Sequence, residues 1–153
     1  MNNKQTRGFS LLEVLLVVGI LGILSTISFG VYQGFIRDTE ISMAAKNIVF
    51  DLKQARSRAM AGENGEKWGV HFINGADDYY EIFSTPTDYN DVNKTIESAN
   101  YLSAAIFFVE PAVSSTIIFN KISGNISSAF SVTISSPNNQ TKIINVTAVG
   151  NIY

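Results

Sequence analysis

Hydrophobic positions fall into three successive patterns along the chain. Residues 9–31 read FSLLEVLLVVGILGILSTISFGV, a stretch in which Glu13 is the one formal charge. As a helix rising 1.5 Å per residue this stretch would be about 35 Å long, enough to cross a hydrocarbon core of about 30 Å. It is expected to span a membrane. From residue 41 the apolar and small residues fall at Ile41, Ala45, Ile48, Leu52, Ala55 and Ala59, in alternating steps of four and three. Lys46, Asp51, Lys53, Arg56 and Arg58 are left mostly to other faces. The spacing predicts an amphipathic continuation of the helix over 32–61 with one core-facing stripe. Gly62 followed by Glu63-Asn64-Gly65 supplies its stop.

Beyond Gly65 the period changes to two. Residues 67–73 place Trp68, Val70 and Phe72 on one face, and residues 79–84, 104–109, 116–119, 130–135 and 142–147 are short aromatic or β-branched runs. These read as strands. Asn74-Gly75, Ser123-Gly124-Asn125, Pro137-Asn138-Asn139 and Gly150-Asn151 supply turns between them. Residues 85–100, TPTDYNDVNKTIESAN, are polar and dense in turn formers, which predicts a surface loop. The expected fold is α+β, a long N-terminal helix packed on an antiparallel β-sheet domain over 66–153.

Composition narrows the chemistry. With 153 residues the chain fits one domain plus one extra segment. Its 11 Lys+Arg against 13 Asp+Glu lack the basic footprint of a nucleic-acid binder. After Pro111 the only charges are Lys121 and Lys142, too few to neutralise enough phosphates, so nucleic acid is not expected as a partner. There is no cysteine, hence no disulfide and no thiolate-held metal, and His71 is the single imidazole. His71 lies in a strand-like run and is assigned no role. Asp77, Asp78, Asp88 and Asp91 lack the spacing of a calcium loop, and polar loops collect aspartates for turn formation. Arg56 and Arg58 are expected to meet Asp51 or solvent. No catalytic residue, metal or cofactor is predicted, and the chain is not expected to be an enzyme.

The N-terminus carries the most specific signal. MNNKQTRG holds Lys4 and Arg7 and no acid, so the positive-inside bias places this end in the cytoplasm and everything after residue 31 outside. A carboxylate deep in a span costs about 2.5–3.5 kcal/mol on insertion scales, so Glu13 calls for a positive partner. A signal peptide fits poorly, because the apolar run is too long, contains that carboxylate and lacks a small-x-small cleavage site.

Arg7-Gly8-Phe9-Ser10-Leu11-Leu12-Glu13, a basic leader, Gly then Phe, and Glu as the fifth residue from that Phe, resembles the N-terminus of type IV prepilins and type II secretion pseudopilins. The resemblance implies a leader of residues 1–8, cleavage between Gly8 and Phe9 by a prepilin peptidase, and N-methylation of Phe9. It also implies that Glu13 serves assembly by pairing with the new α-amine of a neighbouring subunit. An ammonium and a carboxylate about 4 Å apart attract by about 4 kcal/mol at an effective dielectric near 20, comparable with the cost of burying Glu13. Pairing within one chain, helped by the helix dipole, would use the same charges.

Later segments resemble, more loosely, the minor pseudopilin H of type II secretion and FimT-like minor pilins. The matching residues are Ala55-Arg56-Ser57-Arg58-Ala59, Ile118-Phe119 with Gly124, and Val146 with Gly150 and Ile152. The chain departs from many major pilins in having no proline before Pro86 and no C-terminal disulfide loop. The implied function is a minor pilin or pseudopilin, a structural subunit held in the inner membrane and then drawn into a filament in the periplasm or outside the cell. Its implied partners are other pilin subunits, the prepilin peptidase, a platform protein with its assembly ATPase, and the lipid bilayer. The alternative is a membrane-anchored adhesin or a DNA-binding minor pilin that takes up DNA.

Overall fold

A computed structural model describes residues 10–153, with residues 27–33 described by their backbone alone. Contacts divide the chain into two compact units, one ending at Ile36 and one comprising Arg37–Tyr153. Helix α1 (Leu11–Ala61) contributes to both. In the second unit its buried stripe is the one the four-three spacing predicts: Ile41, Ile48, Leu52, Ala55 and Ala59 are fully buried, and Ala45 packs against them partly exposed. The helix stops where Gly62 adopts a left-handed conformation, φ 67°, which a side chain would disfavour. The Ala59 carbonyl, which would otherwise be left unpaired at the helix end, accepts the N–H groups of Gly62 at 3.1 Å and Ile122 at 3.0 Å.

Seven strands follow among the described residues: β1 (Lys67–Ile73), β2 (Tyr79–Thr85), β3 (Thr95–Tyr101), β4 (Phe107–Glu110), β5 (Ser115–Phe119), β6 (Phe130–Ser135) and β7 (Thr141–Val146). They pair antiparallel in two sheets, ordered β3-β2-β1-β5 and β4-β6-β7. Trp68, Val70 and Phe72 of β1, with Ile117 and Phe119 of β5, form the buried face of the larger sheet. Phe108, Val132, Ile134, Ile144 and Val146 do the same for the smaller one. Both faces and the helix stripe belong to one apolar cluster, and the edge-on contact of Phe72 with Phe108, 5.6 Å between ring centres, ties the two sheets together. The fold is α+β, a helix packed on antiparallel sheets.

Three expectations need correction. Residues 95–100, read as loop, belong to edge strand β3, which pairs with β2 from Ser84↔Thr95 to Tyr79↔Tyr101. β3 is largely exposed, so its sequence carries no apolar alternation, and backbone pairing alone makes it a strand. The strand expected over 104–109 starts at Phe107, because Ala104-Ala105 lie in a turn. Arg56 and Arg58 meet neither Asp51 nor bulk solvent alone. Asp51 and Arg56, five residues apart, lie about 140° apart around the helix, and Arg58 lies about 10 Å along it. Arg56 instead donates to the carbonyls of Gly124, at 3.3 Å, and Val149, at 3.0 Å. Arg58 pairs with Glu97 at 3.1 Å and Glu63 at 3.8 Å and stacks over Trp68.

Candidate functional site

Of the residues singled out at the N-terminus, Glu13 is described, whereas Lys4, Arg7, Gly8 and Phe9 lie outside the described residues. Glu13 occupies the first turn of α1. Its backbone N–H donates to the side-chain oxygen of Ser10 at 3.2 Å, which makes Ser10 the cap of the helix. The spacing Ser10-x-x-Glu13 before an apolar run is a helix-start signature that the sequence itself carries. No side chain among the described residues pairs with the Glu13 carboxylate.

The helix that follows is apolar on all sides. Leu11, Leu12, Leu15, Val18, Ile23 and their neighbours are all exposed, Leu11 at 84% and Ile23 at 64%. The polar side chains in this stretch turn back on their own helix. The Ser25 hydroxyl donates to the Leu21 carbonyl and the Thr26 hydroxyl to the Ile23 carbonyl, both at 2.7 Å. Hydroxyls satisfied in this way present no unmet hydrogen bond to an apolar neighbour. What remains is an oily surface with one carboxylate near its start.

Among the described residues no helix is long and apolar enough to cross a membrane. The span expected over 9–31 is therefore not met there: residues 11–26, the apolar part with described side chains, cover roughly 24 Å, less than a hydrocarbon core. Phe9 and the side chains of 27–31, which the expectation included, fall outside the described residues.

Residues 3–29 match a family model for the prokaryotic N-terminal methylation motif. The chain carries a prepilin-type N-terminal motif. The match covers Gly8, Phe9 and Glu13 and supports a relationship to type IV pilins and pseudopilins. The chain matches no curated protein and no solved structure.

Several other polar groups have local tasks. His71 lies on the face of β1 opposite Trp68, Val70 and Phe72, stacked on Tyr89 at 3.7 Å, with its Nδ1 2.7 Å from the Thr116 hydroxyl oxygen. Burial lowers its pKa from 6.5, against an opposing pull from Glu81. Tyr89, one of the links between residues 86–94 and the larger sheet, donates to Glu81 at 2.7 Å and lies under Lys94. Burial, followed by that carboxylate, pushes its pKa up. Asp78 accepts the N–H groups of Gly75 and Phe108. Asp88 and Asp91 accept those of Asn90 and Asn93. Asp51 accepts the Tyr80 hydroxyl at 2.7 Å, and burial together with this bond pushes the Tyr80 pKa up.

Proposed function

We propose that this chain is a pilin-like structural subunit, a minor pilin or pseudopilin, that is matured at Gly8–Phe9 and assembles through its N-terminal helix. The observation that carries this reading is the methylation motif over residues 3–29, which leads into a helix exposed and apolar on every described side. A surface of that kind is stable only in lipid or against other apolar helices. The N-terminal segment would sit in the membrane with Lys4 and Arg7 on the cytoplasmic side until assembly. In the polymer, Glu13 would take the methylated amine of Phe9 from an adjacent subunit. Platform protein, assembly ATPase and peptidase would be the partners in maturation and extraction. The role is structural, with no part for an enzyme's chemistry.

Intact-mass measurement on the chain, produced in a bacterium with a prepilin peptidase, tests maturation. The expected product lacks residues 1–8 and carries one added methyl group. Glu13→Ala tests assembly: the variant should enter the membrane as the native chain does and fail to polymerise. Normal filaments from that variant would refute the role given to Glu13.

A further inference from the structure

On one flank of the second unit, residues of α1 and β7 enclose a shallow groove of about 340 Å³. Its apolar surface includes Phe50, Ile143 and Tyr153, each 60–69% exposed, and Lys46, Lys53 and Lys142 stand around it. Both ion pairs among the described residues belong to Arg58, so these three ammonium groups have no carboxylate of their own. Exposed aromatic and aliphatic surface ringed by one sign of charge marks a place where another protein docks.

The same small sheet presents the opposite combination on its other edge. On β4, Phe107 and Val109 are exposed at 44% and 43%, with Glu110 exposed beside them. The turn after β1 brings Asp77 to this edge. It is held there by Asn74, whose Nδ2 donates to the carbonyls of Phe108 at 3.1 Å and Pro111 at 2.9 Å, and by Asp78, whose carboxylate accepts the Phe108 N–H at 2.7 Å. Asp77 and Glu110 form no ion pair among the described residues.

We propose that these two edges are the halves of a head-to-tail docking pair, in which the lysine-ringed groove of one copy receives the acidic β4 edge of a second copy. Because β4 and β7 lie on opposite sides of β6, the halves do not overlap, and each docked copy still offers one free half at each end. Such a contact is heterologous and propagates in one direction instead of closing on itself. A two-fold pairing of either edge with itself would place lysine against lysine or carboxylate against carboxylate, which like-charge repulsion disfavours. The proposal rests on the reading of the chain as a polymerising subunit and names the second contact such a polymer would use.

Charge reversal in the full chain tests it, with polymer recovered from cells that carry the assembly machinery. Lys53→Glu with Lys142→Glu, and separately Asp77→Lys with Glu110→Lys, should each lower polymer yield at least about tenfold. A chain carrying all four changes, or the two variants produced together, should return to within about twofold of native yield, since the pairing is restored with its signs exchanged.

A second measurement leaves the charges in place. With no native cysteine, the double variant Val109→Cys and Ile143→Cys should give a disulfide-linked ladder on oxidation of the polymer. Two strand spacings, about 9.6 Å, separate β4 from β7, too far for a bridge within one chain. Native polymer whose yield ignores charge reversal and which gives no ladder overturns the docking pair alone. A native chain that forms no polymer overturns it together with the assembly reading.

Discussion

Removing the Arg56 side chain is expected to destabilise the domain markedly. Its guanidinium joins two turns far apart in sequence by donating to Gly124 O at 3.3 Å and Val149 O at 3.0 Å. A hydrogen bond from a charged donor contributes about 1.5–3 kcal/mol when its loss leaves a carbonyl unpaired. One bond here is long and the side chain is half-buried, so Arg56→Ala should cost about 2–3 kcal/mol. Gly150 offers an independent approach to the same clasp. At φ 82°, an added Cβ would lie 2.2 Å from the Gly124 carbonyl oxygen and 2.6 Å from Arg56 Nε. Gly62, at φ 67°, has nothing closer than a side-chain methyl at 3.6 Å. Gly62→Ala should therefore pay only the left-handed backbone penalty of about 1–2 kcal/mol. Gly150→Ala should exceed that by at least about 1 kcal/mol, because the two turns must separate.

The assay is denaturant unfolding of the full chain in detergent, followed through Trp68, the single tryptophan and 2% exposed. If Gly150→Ala acts by dislodging Arg56, adding Arg56→Ala to it should destabilise by less than the sum of the two, with a coupling of about 1 kcal/mol or more. Equal costs for Gly150→Ala and Gly62→Ala, or strict additivity of the Arg56 pair, would refute the clasp.

Leu52→Ala should destabilise the domain by about 2–5 kcal/mol in the same assay, because the side chain is fully buried in the stripe, whereas Met43→Ala, 58% exposed on the same helix, should stay within about 0.5 kcal/mol. The pKa of His71 is lower in the fold than its ordinary 6.5, so the unfolded chain binds the proton first as pH falls. The stability this residue contributes should be intact above pH 6.5 and decline below it. The melting-temperature difference between native chain and His71→Gln should therefore shift against the native chain from about pH 7.5 to about pH 5, and a difference constant with pH would refute this.

Wherever one residue's neighbours in sequence decide its environment, the chain is legible. The four-three spacing from Ile41 to Ala59 names the buried helix stripe, and Gly62 names its end, because a helix turns its faces at a fixed rate and only a residue tolerant of positive φ closes it cheaply. The runs at 67–73 and 130–135 coincide with β1 and β6 for the same reason: both strands have one buried face, so alternation shows. β3 fails that condition. Its residues face solvent on an edge, and the hydrogen bonds to β2 that make it a strand leave no mark on side-chain polarity.

Long-range polar contacts are illegible for a different reason. Arg56 reads locally as a solvent-facing residue beside other charges, and its partners are backbone carbonyls 68 and 93 positions away, which any residue type could supply. What the sequence does hold is the steric counterpart of the contact: glycine at 124 and at 150, the two places where a Cβ would intrude on the guanidinium. The resemblance already singled out Arg56, Gly124 and Gly150 as separate features, and in the fold they are a single one. The same holds at the N-terminus. Ser10 and Glu13, three positions apart, are joined by one capping bond that starts the helix, and the exposed apolar surface beyond them gives the Glu13 carboxylate no partner among the described residues.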